Sequence, residues 1–180
     1  MARALRSRRA ALLGFRLMIF VTIGSMFPFD RMIRYMDEWA LTHPDVELRA
    51  QIGDGEYEPK HMPFDRKLAQ RDFDRVMNDA DFIVAHAGMG SVIQAAEFQK
   101  PIIILPRLRE LGEHTTDHQI DTANWLRDRP GIRVVESQEA LYSTVERWLS
   151  NPEGPTDALV RTAPPEFISR IRGFLVSNKR

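Results

Sequence analysis

The stretch "HAGMGS" (residues 86–91) puts a histidine, two glycines and a hydroxyl within six positions. An apolar run, "FIVA", leads into His86, and a helical pattern follows from Ser91. A strand, a glycine turn and a helix start present unpaired backbone N–H groups and the positive end of a helix dipole, both of which favour a phosphate. Gly88 and Gly90, on either side of Met89, let the main chain approach a ligand with no side chain in the way. His86 and Ser91 can each donate a hydrogen bond to a phosphate oxygen. Ser91 with Gln94 also spells a capping box, S-x-x-Q, which needs no ligand. Glycine turns between strand and helix are common, so the motif alone leaves both readings open.

A second polar cluster, "GEHTTDHQ" (112–119), gathers Glu113, His114, Asp117, His118 and Gln119. His114 and His118 have the i, i+4 spacing of a metal pair, but the H-E-x-x-H motif needs Glu at 115, where threonine stands. No separate third ligand is evident, so no metal is expected. Polar groups at a helix start beyond a strand suit recognition of hydroxyls, such as those of a sugar. Capping by Thr116 or Asp117 explains the same residues without a ligand.

These clusters need elements to hold them. "LMIFVTIG" (17–24) reads as a buried strand, and "VELRAQIG" (46–53), "DFIVAH" (81–86), "PIIILP" (101–106) and "IRVVES" (132–137) as four more. Helical spacing of Phe29, Met32, Ile33, Met36 and Ala40 predicts a helix that Asp30 caps and Pro44 ends. Further helices are predicted over 70–79, from Ser91, over 117–128 and over 138–150, with "DGEYEPKHMPFDRK" as a loop. Strands alternating with single helices imply parallel pairing through right-handed crossovers. The expected fold is α/β, a Rossmann-like parallel sheet with helices on both faces. Ligands of such sheets sit beyond the carboxyl ends of the strands, which puts Gly24 and Ser25, residues 86–91, and Arg107 onward on one rim.

At 180 residues and 43% hydrophobic, the chain can bury one proper core. Its 25 basic and 25 acidic residues cancel, so no overall field argues for nucleic acid. With no cysteine, disulfides and thiolate chemistry are excluded. Residues 1–17 carry Arg3, Arg6, Arg8, Arg9 and Arg16 and no acid. They read as a basic, disordered extension ahead of a more natural start at Met18, or as a weak anchor for anionic lipid. No run reaches the roughly 18 apolar residues of a membrane span. Residues 151–180 read as a linker followed by an amphipathic helix, whose face of Phe167, Ile171 and Phe174 packs on its own domain or meets a partner groove or a membrane surface.

Three blocks together carry a family resemblance: "IFVTIGSMFPFDRMIRYMDEWA", "ADFIVAHAGMGSVIQAAEFQKPIIILP" and "GEHTTDHQIDTANWL". Over residues 18–150 the sequence resembles the C-terminal, donor-binding domain of family 28 glycosyltransferases. Within that family it looks most like the short bacterial exopolysaccharide subunits of the PssE type and the catalytic subunit of the eukaryotic two-part dolichol-linked GlcNAc transferase. The resemblance implies a single GT-B half-domain whose donor substrate is a UDP-sugar, with no separate cofactor. It assigns the nucleotide pyrophosphate to His86, Gly88, Met89, Gly90 and Ser91, the donor-facing loop of the first strand to Thr22, Gly24 and Ser25, and the sugar to Asp117, His118 and Gln119. Many relatives place a ribose-binding acid seven positions before the proline that opens the next strand. Here that position is Gln94, with Glu97 the nearest acid.

A GT-B enzyme closes two domains over its substrates, and this chain has room for one. The resemblance therefore implies a membrane-anchored acceptor-binding subunit that carries the general base, with Phe167, Ile171 and Phe174 as the candidate docking face. The expected reaction moves a hexosyl or uronosyl unit to a lipid-linked saccharide acceptor at the cytoplasmic side of a membrane, with inversion. Arg107 and Arg109 could favour a uronic acid by pairing with its carboxylate, or be surface arginines. Two alternatives remain: a transferase that needs no partner, and a nucleotide-sugar-binding regulatory module without transfer activity.

Overall fold

The computed structural model describes residues 17–152 and Gly154. The arginine-rich residues 1–16 and the amphipathic segment with Phe167, Ile171 and Phe174 lie outside the described residues.

Six strands form one sheet: β1 (Met18–Thr22), β2 (Glu47–Gln51), β3 (Phe64–Asp65), β4 (Phe82–His86), β5 (Ile102–Leu105) and β6 (Ile132–Val134). Their order is β3-β2-β1-β4-β5-β6, and every pairing is parallel. The helices are α1 (Asp30–Thr42), α2 (Gln70–Asp79), α3 (Met89–Glu97), α4 (His118–Leu126) and α5 (Gln138–Ser150), with a 3-10 turn at Arg109–Leu111. The five strands and the five helices expected within the described residues all form, within a few residues at their ends.

A parallel sheet covered on both faces needs apolar side chains on both sides of its strands. The run "IIIL" of β5 is buried throughout for this reason. Side chains alternate across the sheet, so Ile19 and Val21 of β1 pack with α1 and α5 through Met32, Ile33, Met36, Trp39, Leu141 and Val145. Phe20 points the other way, into a cluster with Phe73, Val76 and Met77 of α2, Val92 and Ala95 of α3, and Leu126 of α4. Helices α1 and α5 thus cover one face, and α2, α3 and α4 the other. The chain winds from β1 to β2 and β3 on one side, then crosses over to β4 on the other. The reversal falls between β1 and β4, which pair through Val21–Val84 and Thr22–Ala85. Ligand crevices of doubly wound sheets open at this switch point.

The segment read as a loop between β2 and α2 contains the short strand β3. It pairs because the preceding loop is tied to α1. Asp37, 1% exposed, accepts from Tyr57 Oη (2.7 Å), Lys60 N (2.9 Å) and His61 N (2.7 Å). Arg66 donates to the carbonyls of Gly53 (3.3 Å) and Gly55 (2.9 Å). Arg49 of β2 pairs with Asp65 of β3 at 2.8 Å. Asp30 does not cap α1. Phe29 holds the N-cap position, and the Asp30 carboxylate instead accepts from Glu56 N at 3.1 Å, which adds another tie to the same loop.

Burial alone would raise the pKa of Asp37, but the amides of Lys60 and His61 and the Tyr57 hydroxyl outweigh it and leave it lowered. An acid with a depressed folded pKa stabilises above its unfolded value and loses that contribution as pH falls through the folded one. Asp37→Asn should therefore cost about 1–3 kcal/mol at neutral pH. Urea denaturation of both proteins should show the difference shrinking below about pH 4.

Candidate functional site

Three loops meet at the carboxyl rim beside the switch point. The first leaves β1 through Ile23, Gly24 and Ser25 to Pro28. Gly24 has φ +75°, a conformation that L side chains rarely adopt, and its amide donates to Thr22 Oγ1 at 3.3 Å. Thr22 is buried, so it shapes this turn from below, while Ser25 and Met26 are exposed at its tip.

The second loop is the "HAGMGS" turn after β4. A β-carbon on Gly24 would lie 2.6 Å from His86 Cε1, and one on Gly88 would collide with His86 Nε2. The imidazole thus fills the space between two glycines from two strands. Helix α3 begins at Met89 rather than Ser91, with Gly88 at the N-cap and no side-chain cap. The capping box is therefore not formed. Ser91 is buried in the first turn, and its hydroxyl lies 3.3 Å from His86 Nδ1. The Met89 and Gly90 amides open the helix, where helical geometry supplies no carbonyl partner. A β-carbon on Gly90 would meet nothing within 4 Å. The turn so combines a rigid floor, at Gly24, His86 and Gly88, with open space at Gly90.

The third loop follows β5. Arg107 is neither a surface arginine nor free to pair with a sugar acid. It is 2% exposed, and its guanidinium donates to the carbonyls of Ile23 (2.8 Å), Phe27 (2.6 Å) and Pro28 (3.3 Å). Gln119 is buried, and its Oε1 accepts from Arg107 N at 3.1 Å, which leaves its amide NH2 as the group able to meet a ligand. Glu113 makes a two-point ion pair with Arg31 of α1 (2.7 and 2.8 Å) and accepts from Leu108 N at 2.9 Å. Asp117 sits at the N-cap of α4 without capping it, and its carboxylate accepts from Arg109 N at 3.2 Å. The ring of His114 meets those of Phe27 and His118 edge to face, at 4.9 and 4.5 Å between centroids. His118 Nδ1 lies 2.6 Å from Thr116 Oγ1. Exposed Arg109 and Asp117 share an open cleft of about 410 Å³ with Leu108, Glu110 and Ile120.

The sheet thus brings Thr22, Gly24, Ser25, His86, Gly88, Met89, Gly90 and Ser91 together, with Asp117, His118 and Gln119 on the neighbouring loop. Gln94 and Glu97 lie farther along α3, about 7.5 and 12 Å from its start at 1.5 Å per residue. Distance from the turn favours Gln94 over Glu97 for contact with anything bound there. Arg31 and Glu113 as a loop clasp were not expected. Their ion pair joins residues 82 positions apart, and no local pattern marks it.

Burial lowers the pKa of His86 to about 3, with the nearby charge of Arg107 and then His114 adding to the shift. The imidazole is therefore neutral at physiological pH.

The family model described as the glycosyltransferase family 28 C-terminal domain matches residues 18–158. The chain belongs to this family. Three solved structures share the fold of this family 28 domain. The glycotransferase of kitacinnamycin aligns at TM-score 0.59 and 20% identity, over 76% of this chain and 36% of that one. ALG13, solved by NMR, aligns at 0.55 and 14%, over 87% and 94%. MurG of Acinetobacter baumannii aligns at 0.55 and 18%, over 96% and 52%. The domain thus spans about a third of the kitacinnamycin enzyme, about half of MurG and nearly all of ALG13. A search of curated proteins returns no match. The doubly wound sheet is one half of a GT-B glycosyltransferase fold. Among the described residues, no helix is long and apolar enough to cross a membrane.

The two outer glycines of the rim differ in what they tolerate. Gly24→Ala should cost about 1–3 kcal/mol for its positive φ and its clash with His86, whereas Gly90→Ala should be neutral or stabilise by up to about 1 kcal/mol. Chemical denaturation of the two variants checks the contrast. NMR titration of His86 should show a neutral imidazole down to about pH 4, well below the ordinary histidine range near 6.5.

Proposed function

We propose that this family 28 domain is the donor-binding subunit of a two-component glycosyltransferase. It holds a UDP-sugar at the β1/β4 switch point and transfers the hexosyl or uronosyl unit to a lipid-linked acceptor during synthesis of exopolysaccharide or another surface glycan. One observation carries the reading. Gly24 and Gly88 close on a neutral His86 directly below the start of α3, and the space at Gly90 is open. A diphosphate placed there would receive the Met89 and Gly90 amides, the helix dipole and the Ser25 hydroxyl.

In the proposed reaction the acceptor hydroxyl attacks the anomeric carbon from the face opposite the diphosphate. A C–O bond to the acceptor forms as the C–O bond to the β-phosphate breaks, which inverts the anomeric centre. The hydroxyl proton passes to a general base on the acceptor-binding subunit. The electron pair leaves with UDP, whose growing charge is stabilised by the helix amides, which the His86 ring holds in place. Asp117, His118 and the amide NH2 of Gln119 supply polar contacts for the sugar hydroxyls. With Arg107 buried, exposed Arg109 in the cleft beside Asp117 is the cation that would select an acidic sugar. The partner, anchored in the membrane, would bring the subunit to its cytoplasmic face.

One observation favours a second reading. Gln94 stands where an acid would grip the ribose diol, and a neutral amide makes weaker hydrogen bonds than a carboxylate. A nucleotide-sugar sensor without transfer activity needs no more than that.

Thermal shift with UDP and UDP-sugars, followed by transfer assays with and without membranes containing the partner, separates these readings. Binding at 100 times Kd should stabilise the chain by about 2.7 kcal/mol, and transfer should appear only with the partner. Binding with no transfer under any condition supports the sensor, while transfer by the chain alone rejects the two-component scheme. Gly90→Trp should fold normally, because its side chain enters open space, yet lose UDP binding. Unchanged affinity would mean that the turn holds no phosphate.

A further inference from the structure

Arg107 is fixed at both ends. Its main-chain N–H is held by Gln119, and its guanidinium reaches three carbonyls of the Ile23–Pro28 loop. One of these belongs to Ile23, the residue before Gly24, whose backbone packs on the His86 ring. The guanidinium also lies 5.0 Å from the centroid of the Phe29 ring, and that of Arg31 lies 5.2 Å from the same centroid. Glu113 is ion-paired to Arg31. Two guanidinium groups and one carboxylate leave this cluster with a net positive charge, and the neighbouring imidazole is neutral.

Among the described residues, the hydrogen bonds of the Arg107 side chain all run to carbonyl oxygens. Carbonyl dipoles solvate a cation but do not neutralise it, and a buried charge without a counter-ion is costly. Burial pushes the pKa of Arg107 down to about 10, against an opposing pull from Glu113, so it remains charged at neutral pH. A site that retains such a charge gains most when an anion occupies the adjoining space.

We propose that Arg107 is a positioning residue for the donor diphosphate: it braces the Ile23–Pro28 loop against the His86 turn and sets a fixed positive charge beside that turn. The inference rests on the donor-site reading above. Its role has two parts, the planar fork that three carbonyls require and the charge itself. Lysine preserves the charge and loses the fork, whereas methionine loses both.

The test compares affinities for UDP and uridine, which differ by the diphosphate, using the full chain. Arg107→Met should weaken UDP by roughly tenfold or more while uridine stays within about twofold. Arg107→Lys should fall between Arg107→Met and wild type. Glu113→Gln removes the one negative charge of the cluster and should raise the ratio of UDP to uridine affinity. Equal losses for both ligands in folded variants, or unchanged UDP affinity, would overturn the proposal. If neither Arg107 variant melts cooperatively, Glu113→Gln decides: a ratio that stays level or falls overturns it. A wild-type chain with no affinity for UDP is a separate outcome, which removes the donor-site reading itself.

Discussion

The imidazole of His86 leaves no room for a β-carbon at Gly24 or at Gly88, and the rim is organised around that exclusion. Gly24 ends β1 and Gly88 follows β4, so one ring locks the exits of the two strands that flank the switch point. Locking them fixes where α3 begins and which way its first amides face. Burial keeps the ring neutral, so it can stand beside a cationic arginine without repulsion. A larger residue at either glycine would displace the ring, and with it the geometry of the turn.

The sheet supplies the platform for this arrangement through packing alone. Alternating side chains on β1 bury Ile19 and Val21 under α1 and α5, and Phe20 under α2. Because the chain winds one way to β2 and the other way to β4, no helix among the described residues crosses the carboxyl ends where β1 and β4 meet. The loops that converge there bury Ile23 and Ala87 in the core and are held as well by long-range polar contacts. Arg107 ties the loop after β5 to the loop after β1, and Arg31 ties it to α1 through Glu113. Largely buried charged contacts of this kind specify one arrangement more than they add stability. A donor site of the kind proposed would depend on that specification, because a diphosphate is read by amides placed within a fraction of an ångström.

Much of this was legible in the sequence. Apolar runs such as "IFVT" and "IIIL" and the helical spacing of Met32, Ile33 and Met36 state their burial directly, and the alternation of elements implies the parallel sheet and its rim. The motifs "HAGMGS" and "GEHTTDHQ" mark two of the three loops that meet there. Local patterns misled where a side chain found a distant partner. Ser91 and Gln94 spell a capping box, yet Gly88 takes the N-cap and Ser91 turns to His86. Asp30 looks like a cap and instead holds Glu56. Arg107 gave no sign of burial, because its acceptors are main-chain carbonyls about 80 residues away that carry no side-chain signature. The strand β3 is two residues long and follows a proline, too short for any periodicity to show.

The central claim is that the β1/β4 switch point receives a nucleotide diphosphate, and amide NMR during titration with UDP reports on it directly. The account predicts saturable shifts concentrated at Gly24, Ser25, Met89 and Gly90, with smaller ones along α3 toward Gln94. Saturable shifts confined to the cleft around Leu108 and Ile120, or no shifts at all, would contradict it.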